Sequence, residues 1–252
     1  MVNDKTFFEK HFLLLLYSFF LALDCYFLYT GRYGSRMYSK PILMVFLLFW
    51  FHRRTSLGKR VIPPNSLTVR ICIYAVFVLS FVSDVCALWS DIFVWSVCRL
   101  LYIPMYILYL IMLIEVVRRV KEEKKVIFYV KKIIPVFLLM SLIAFAVLWK
   151  AVGFGADFYQ WCLYFHAFVI CLLATVTANM WGYTELAKCR ILFAVAVVFI
   201  ILTNTTFCFD EIYYNRRYHI LDVFVALGNG AATIFMLFGV MRVLKDWRKV
   251  EY

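Results

Sequence analysis

The chain has 252 residues, of which 65% are hydrophobic and 20% aromatic, and it carries 27 Lys and Arg against 15 Asp and Glu. Soluble domains are roughly 45 to 50% apolar, and no water-soluble fold of this size hides so much apolar surface. The composition excludes an ordinary soluble enzyme and leaves room for one bundle of membrane-spanning helices at about 20 residues each, with almost nothing over for a second domain.

The first apolar run, Phe12 to Tyr29, follows Lys5 and Lys10, contains Asp24 and lacks a small-residue cleavage site. It reads as a retained first span rather than a removed signal peptide. The second run, Tyr38 to Phe51, is short for a hydrocarbon core of about 30 Å, but Lys40 can snorkel and Pro41 suits a first helical turn. Ile71 to Trp89 holds Asp84, and Ile92 to Val117 holds Arg99. Ile133 to Trp149, Phe158 to Trp181, Ile191 to Phe209 and Ile220 to Val243 complete the pattern. The expected fold is all-α: a polytopic transmembrane bundle of about eight spans forming a single domain over residues 1–252.

Lys and Arg divide unevenly between the two sides of such a bundle. Twenty fall in the N-terminus, residues 52–70, 118–132 and 182–190, and the tail; six fall on the opposite side, and Arg99 lies within a span. The rich side, with the C-terminus, is expected to face the cytoplasm of the cell (inner) membrane. Dropping the second span would divide the basic residues 21 to 5 with the N-terminus outside; Lys5 and Lys10 before the first span favour eight spans with both termini inside. The net charge of +12 is then a topology signal spread over short loops, and nucleic-acid binding is not expected. The basic run at 118–132 reads first as a cytoplasmic anchor beside lipid headgroups.

The eight cysteines fall mainly within spans and form no CxxC pair, so neither a disulfide framework nor a zinc site is indicated. There is no phosphate-cradling Gly-rich loop, nucleophile elbow or HExxH pair. No metal or cofactor is expected.

The chemistry-bearing residues instead fall at one level of the bundle. Counting at about 1.5 Å per residue, Asp24, Asp84 and Asn204 lie about 8 Å from the outer ends of their spans, Arg99 about 10 Å, His166 about 12 Å and Asn229 about 13 Å, with Lys40 at the mouth of the second. A charge at mid-helix costs at least about 2.5 to 3.5 kcal/mol on insertion scales, so these groups are expected to face the interior and one another. An Asp84–Arg99 ion pair is expected between consecutive antiparallel spans. Asp24, with no cation in its own span, is the expected protonated acid unless Lys40 reaches it, and Asp84 the ionised partner. His166 reads either as a proton carrier or as a bonded packing residue. Interhelical hydrogen bonds that only hold helices together are the competing account of the whole layer.

Tyr38-Ser39-Lys40-Pro41-Ile42-Leu43-Met44, followed by an apolar run and then by Ser80-Phe81-Val82-Ser83-Asp84, resembles the YhhN-like membrane proteins, which include the lysoplasmalogenases. The resemblance covers essentially the whole chain and implies eight spans. It implies hydrolysis of the vinyl-ether bond of lysoplasmalogen to an aldehyde and a glycerophospho headgroup, with acidic residues in the membrane responsible. Lys40 and Asp84 match the family pattern, with Ser83 in place of the usual Gly. The later Ser-Asp motif falls on Thr203-Asn204, and the fourth-span His falls near Met105, where the neighbouring Tyr106 and Tyr109 offer no imidazole. The functional expectation is a diverged ether-lipid hydrolase with Asp84 and Asp24 as its carboxyl pair. Lys40, Arg99, His166, Asn204 and Asn229 would shape a site for a lysophospholipid-type substrate drawn from the membrane lipids. The alternative is a non-catalytic relative that binds or transports a lipid or small amphiphile.

Overall fold

A computed structural model describes residues 4–56, 67–86, 100–120, 128–152, 158–209 and 219–250. Eight α-helices run through them: α1 (Asp4–Tyr29), α2 (Lys40–Ser56), α3 (Leu67–Cys86), α4 (Tyr102–Arg119), α5 (Val130–Val152), α6 (Phe158–Asn179), α7 (Arg190–Cys208) and α8 (His219–Val250). There is no strand among the described residues.

Six of the eight are long and apolar enough to cross a membrane, namely α1, α3, α5, α6, α7 and α8. Length and composition thus support six spans among the described residues. The two exceptions have distinct causes. Helix α2 has 17 residues, about 26 Å, and carries Arg53 and Arg54 in its last turn. Helix α4 carries Glu115, Arg118 and Arg119 in its last turns, and the expected start of that span at 92–99 lies outside the described residues. Both helices are nevertheless built into the bundle, burying Leu47, Trp50 and Phe51 on one and Met112, Leu113 and Val116 on the other.

The helices close into a ring. Sequence neighbours α1, α2, α3 and α4 pack in turn, α4 packs on α6, α6 on α7 and α7 on α8, and α8 returns to α1. Helix α5 stands outside, leaning on α6 and touching α7. It is the least buried of the apolar helices and exposes Leu138, Leu139, Leu142, Phe145 and Trp149. With Phe12, Phe19, Ile71, Val78, Phe165, Ile191 and Leu227 exposed on other helices, the outer surface is apolar all round, which water does not tolerate over such an area.

Within the ring the two ends differ. Toward the end where α2 and α4 finish, large apolar side chains fill the interior: Leu47, Trp50, Ile73, Met112, Leu113, Met236 and Val240 are each 1% exposed or less. Toward the opposite end, where α1, α3 and α7 finish, the same helix faces turn polar: Ser80, Ser83 and Asp84 continue the buried stripe of α3, Tyr109 and Tyr106 that of α4, and Thr203 that of α7. This end is called the polar end below.

The connection that reaches over the polar end is shaped by a Schellman turn. Gly31 sits in the left-handed region (φ 68°), its N–H bonds the Leu28 carbonyl at 3.1 Å, and the Arg32 N–H bonds the Phe27 carbonyl at 2.8 Å. The chain then folds back as a short 3₁₀ segment, Tyr33–Tyr38, that delivers Arg36, Ser39 and Lys40 to the ring.

Helices α7 and α8 pack the most extensively of any pair, across small residues of α8. A Cβ at Gly239 would meet the Phe193 ring at 2.6 to 2.9 Å, and Phe193 is fully buried. Gly239→Ala should lower the thermal midpoint of the detergent-solubilised protein, at a cost of about 1 to 3 kcal/mol for forced overpacking. Gly34→Ala, where a Cβ meets nothing within 4 Å, should leave it unchanged.

Candidate functional site

Two polar clusters meet inside the polar end of the ring. The first is built by α1, the 3₁₀ segment, α2 and α3. Asp24, only 1% exposed, accepts hydrogen bonds from Arg36 Nε to Oδ1 and from Arg36 Nη2 to Oδ2, both at 3.0 Å, and from Ser39 Oγ to Oδ1 at 3.0 Å. A planar guanidinium suits such two-point recognition. Burial works against the charge on Arg36, but the hydrogen bonds and charge of Asp24 outweigh it and push the pKa of Arg36 above its ordinary value.

Lys40 Nζ lies 3.2 Å from Asp84 Oδ1, and both side chains are largely buried. Asp24 and Arg36 are close enough to Asp84 to act on it electrostatically, so the two ion pairs form one four-charge group. Tyr17 lies beneath it on α1, fully buried and within electrostatic reach of Asp84, Asp24 and Tyr109.

The second cluster joins α4, α6, α7 and α8. Asn204 Nδ2 donates to Tyr106 Oη at 2.9 Å and to the Ile200 carbonyl at 2.7 Å. Thr203 Oγ1 donates to Asn229 Oδ1 at 3.1 Å, Thr233 Oγ1 donates to the Asn229 carbonyl at 2.9 Å, and the His166 ring lies 5.2 Å from that of Tyr106, centroid to centroid. Tyr109 is the bridge, since it neighbours Tyr106 on one side and Tyr17 on the other. All seven ring helices thus supply a polar side chain to this layer. The donors of α5 are not among them.

The expected residues separate accordingly. Asp24, Lys40 and Asp84 come together in the first cluster; His166, Asn204 and Asn229 belong to the second. Arg99 lies outside the described residues, and the described partner of Asp84 is Lys40. Asp24 has no cation in its own span, as expected, but the cation that reaches it is Arg36 and not Lys40: both of its oxygens are engaged by Arg36, which arrives from the following connection. That removes the reason for reading Asp24 as a protonated acid.

Arg36, Ser39, Tyr17, Tyr106 and Tyr109 were not singled out from the sequence. Tyr17 lies seven residues before Asp24, on the same helical face, and this spacing is a signal that could have found it. Arg36 carries a weaker signal as one of the few basic residues on the poor side of the charge count. Among the described residues no group of His, Cys, Asp and Glu is placed to hold a metal ion. No family model, curated protein or solved structure matches the chain.

Chemically, the layer offers one carboxylate tied to a lysine, a second locked by an arginine, and three buried phenols. A dry ion pair is costly to break from one side. Lys40→Met and Asp84→Asn should each lose about 3 to 5 kcal/mol of stability, and the double replacement should recover much of that loss. Chemical denaturation of the four proteins in one detergent measures the coupling; losses that simply add would show that the two residues do not interact.

Proposed function

We propose that this chain is a multi-pass membrane protein of the YhhN-like, lysoplasmalogenase-related kind. In this reading it takes a lysoplasmalogen-type lipid into the polar end of the ring and hydrolyses the vinyl-ether bond. One observation carries the reading: Lys40 and Asp84, the residues on which the resemblance rests, stand far apart in the chain and meet at 3.2 Å.

The chemistry asks for such a contact. Protonating the outer carbon of a vinyl ether leaves an oxocarbenium ion; water adds to it, and the resulting hemiacetal collapses to a fatty aldehyde and a free glycerol hydroxyl. The proton held across the Lys40–Asp84 contact is the one that reaches the carbon, the carboxylate stabilises the cation, and the same contact takes a proton back from the attacking water. Tyr106 accepts from Asn204 and so keeps its own O–H as a donor toward the glycerol oxygens. Asp24 acts by position: it anchors Arg36 and Ser39, and so the start of α2 that carries Lys40.

A second reading, a relative that binds or carries such a lipid without cleaving it, draws on two specific observations. Both oxygens of Asp24 are taken by Arg36, and position 204 carries an amide where the family has a carboxyl. Purified protein should release fatty aldehyde from lysoplasmenylethanolamine, and Asp84→Asn should lower the rate by about 100 to 10,000-fold, the usual loss on removing an acid–base group. Saturable binding of that lipid with no aldehyde above background would reject hydrolysis in favour of the second reading.

We also propose that all eight helices cross or enter the membrane with both termini in the cytoplasm, as the basic-residue asymmetry supports. Single cysteines at positions 3, 58 and 122 in a cysteine-free background should then react with an impermeant maleimide only after the membrane is opened. Labelling of position 3 in intact cells would mean that the N-terminus lies outside and that the span count is odd.

A further inference from the structure

We propose that the cleft between α5, α6 and α7 is the binding site for the hydrocarbon chain of a single-chain amphiphile, entered sideways from the bilayer. It rests on the lipid reading above and adds where the chain lies and by which route the head enters the ring.

Helix α5 leans against the ring without joining it, and an open cleft is left between it and the α6–α7 wall. Met140 to Leu148, Leu163 to Cys171 and Ile201 to Cys208 line it, which gives a run of about 12 Å along the helix axes. The walls are almost wholly apolar. Polar groups other than thiols come only from His166, Asn204 and Thr205, on the side of the ring wall. Those groups are not isolated: Asn204 donates to Tyr106 inside the ring, and the ring of His166 lies against that of Tyr106. The cleft and the interior polar layer therefore share a wall made of two polar side chains, placed where α6 and α7 meet. Leu139, Leu142, Phe165 and Phe168 are exposed on α5 and α6 outside the cleft, and Ile143 in its lining is exposed too, so what reaches it comes from an apolar medium.

This polarity pattern selects the occupant. Met140, Ile170 and Ile201 close the end away from the polar layer and suit a methyl terminus, whereas the His166–Asn204 wall suits the oxygens of a glycerol backbone. A hydrocarbon chain without a polar end would leave that wall unmatched. A two-chain lipid would have to place its second chain outside the cleft, where bulk lipid already offers the same environment. The chemistry fits an amphiphile with one chain and one polar end. Once in place, such a molecule has its head against the His166–Asn204 wall, on whose inner side stand Tyr106, Tyr109 and the Lys40–Asp84 pair.

The test uses the full chain in lipid nanodiscs and a saturated alkyl lysophosphoethanolamine with a diazirine in its chain, which no ether hydrolase of this kind can cleave. Labelled peptides are mapped by mass spectrometry with and without excess unlabelled lysophosphoethanolamine, or excess free fatty acid. The expected result is label on α5, α6 and α7 that the lysolipid competes away, lost in Ala144→Phe and in Ala167→Leu, which fill the cleft from opposite walls. It should persist in Leu142→Phe, which alters the outer face of α5 at a side chain 66% exposed. Thermal midpoints identify any variant that fails to fold, and the other wall's variant then decides. Competition by the fatty acid and not by the lysolipid would overturn the proposed amphiphile. Label that resists competition, or that ignores both cleft-filling variants, would overturn the site. Competable label confined to other helices, with aldehyde release intact, would overturn the cleft and leave the proposed hydrolysis standing. Competable cleft label without aldehyde release would do the reverse.

Discussion

Asp24 is held by three hydrogen bonds in a place where water cannot reach it, and much of the polar end follows from that requirement. A carboxylate buried among apolar helices needs both its charge and its lone pairs met. Arg36 and Ser39 meet them only if the chain turns back sharply after α1, which the left-handed Gly31 allows. Once the 3₁₀ segment is drawn down onto Asp24, α2 begins at the ring mouth with Lys40 in its first turn, facing the end of α3. The second ion pair depends in this way on the first. Pro41, placed where a missing N–H costs nothing, keeps the start of α2 compatible with that tight approach.

The remainder of the ring divides its labour by depth. One end is closed by large apolar side chains, and Trp50 meets Phe238 edge-on at 5.4 Å within that plug. In a bilayer such packing is not driven by escape from water, since lipid tails are as apolar as leucine; close contact and small residues decide it. The fit of Phe193 against Gly239 is an instance, and it joins the two helices with the most extensive mutual packing. At the other end the same faces carry tyrosines, asparagine, threonines and the charged group, with Asn204 bonded to Tyr106, Thr203 to Asn229 and Lys40 paired with Asp84 across helices. The ring is thus closed at one end by packing and lined at the other by hydrogen-bonding groups, and the external α5 adds an apolar cleft beside its wall.

The proposed chemistry and the proposed route depend on different parts of the molecule. Hydrolysis rests on the Lys40–Asp84 contact and the resemblance of the sequences around it. The chain-binding cleft rests on α5, α6 and α7 and on the double duty of Asn204, which lines the cleft and bonds Tyr106 within the ring. The amide at 204 is a hydrogen-bonding group that does not titrate, which suits a wall between two compartments better than it suits a proton donor.

The apolar runs alone determined that this protein is helical and where its helices lie, because about 20 consecutive apolar residues have few other stable forms in or out of lipid. Depth along each run also placed Asp24, Asp84, His166, Asn204 and Asn229 in one half of the bundle, since rise per residue is nearly constant. The choice of partners was decided only by tertiary structure. Asp84 meets Lys40 and Asp24 meets Arg36 because of helix order around the ring, the rotation of each helix and the fold of a short connection, none of which leaves a mark on hydropathy. The exclusion of α5 from the ring is of the same kind: its sequence is as apolar as that of its neighbours, and only the α4–α6 contact shows that the chain skips it. Two apolar helices look alike in one dimension, whereas a buried charge distinguishes neighbours that can satisfy it from those that cannot.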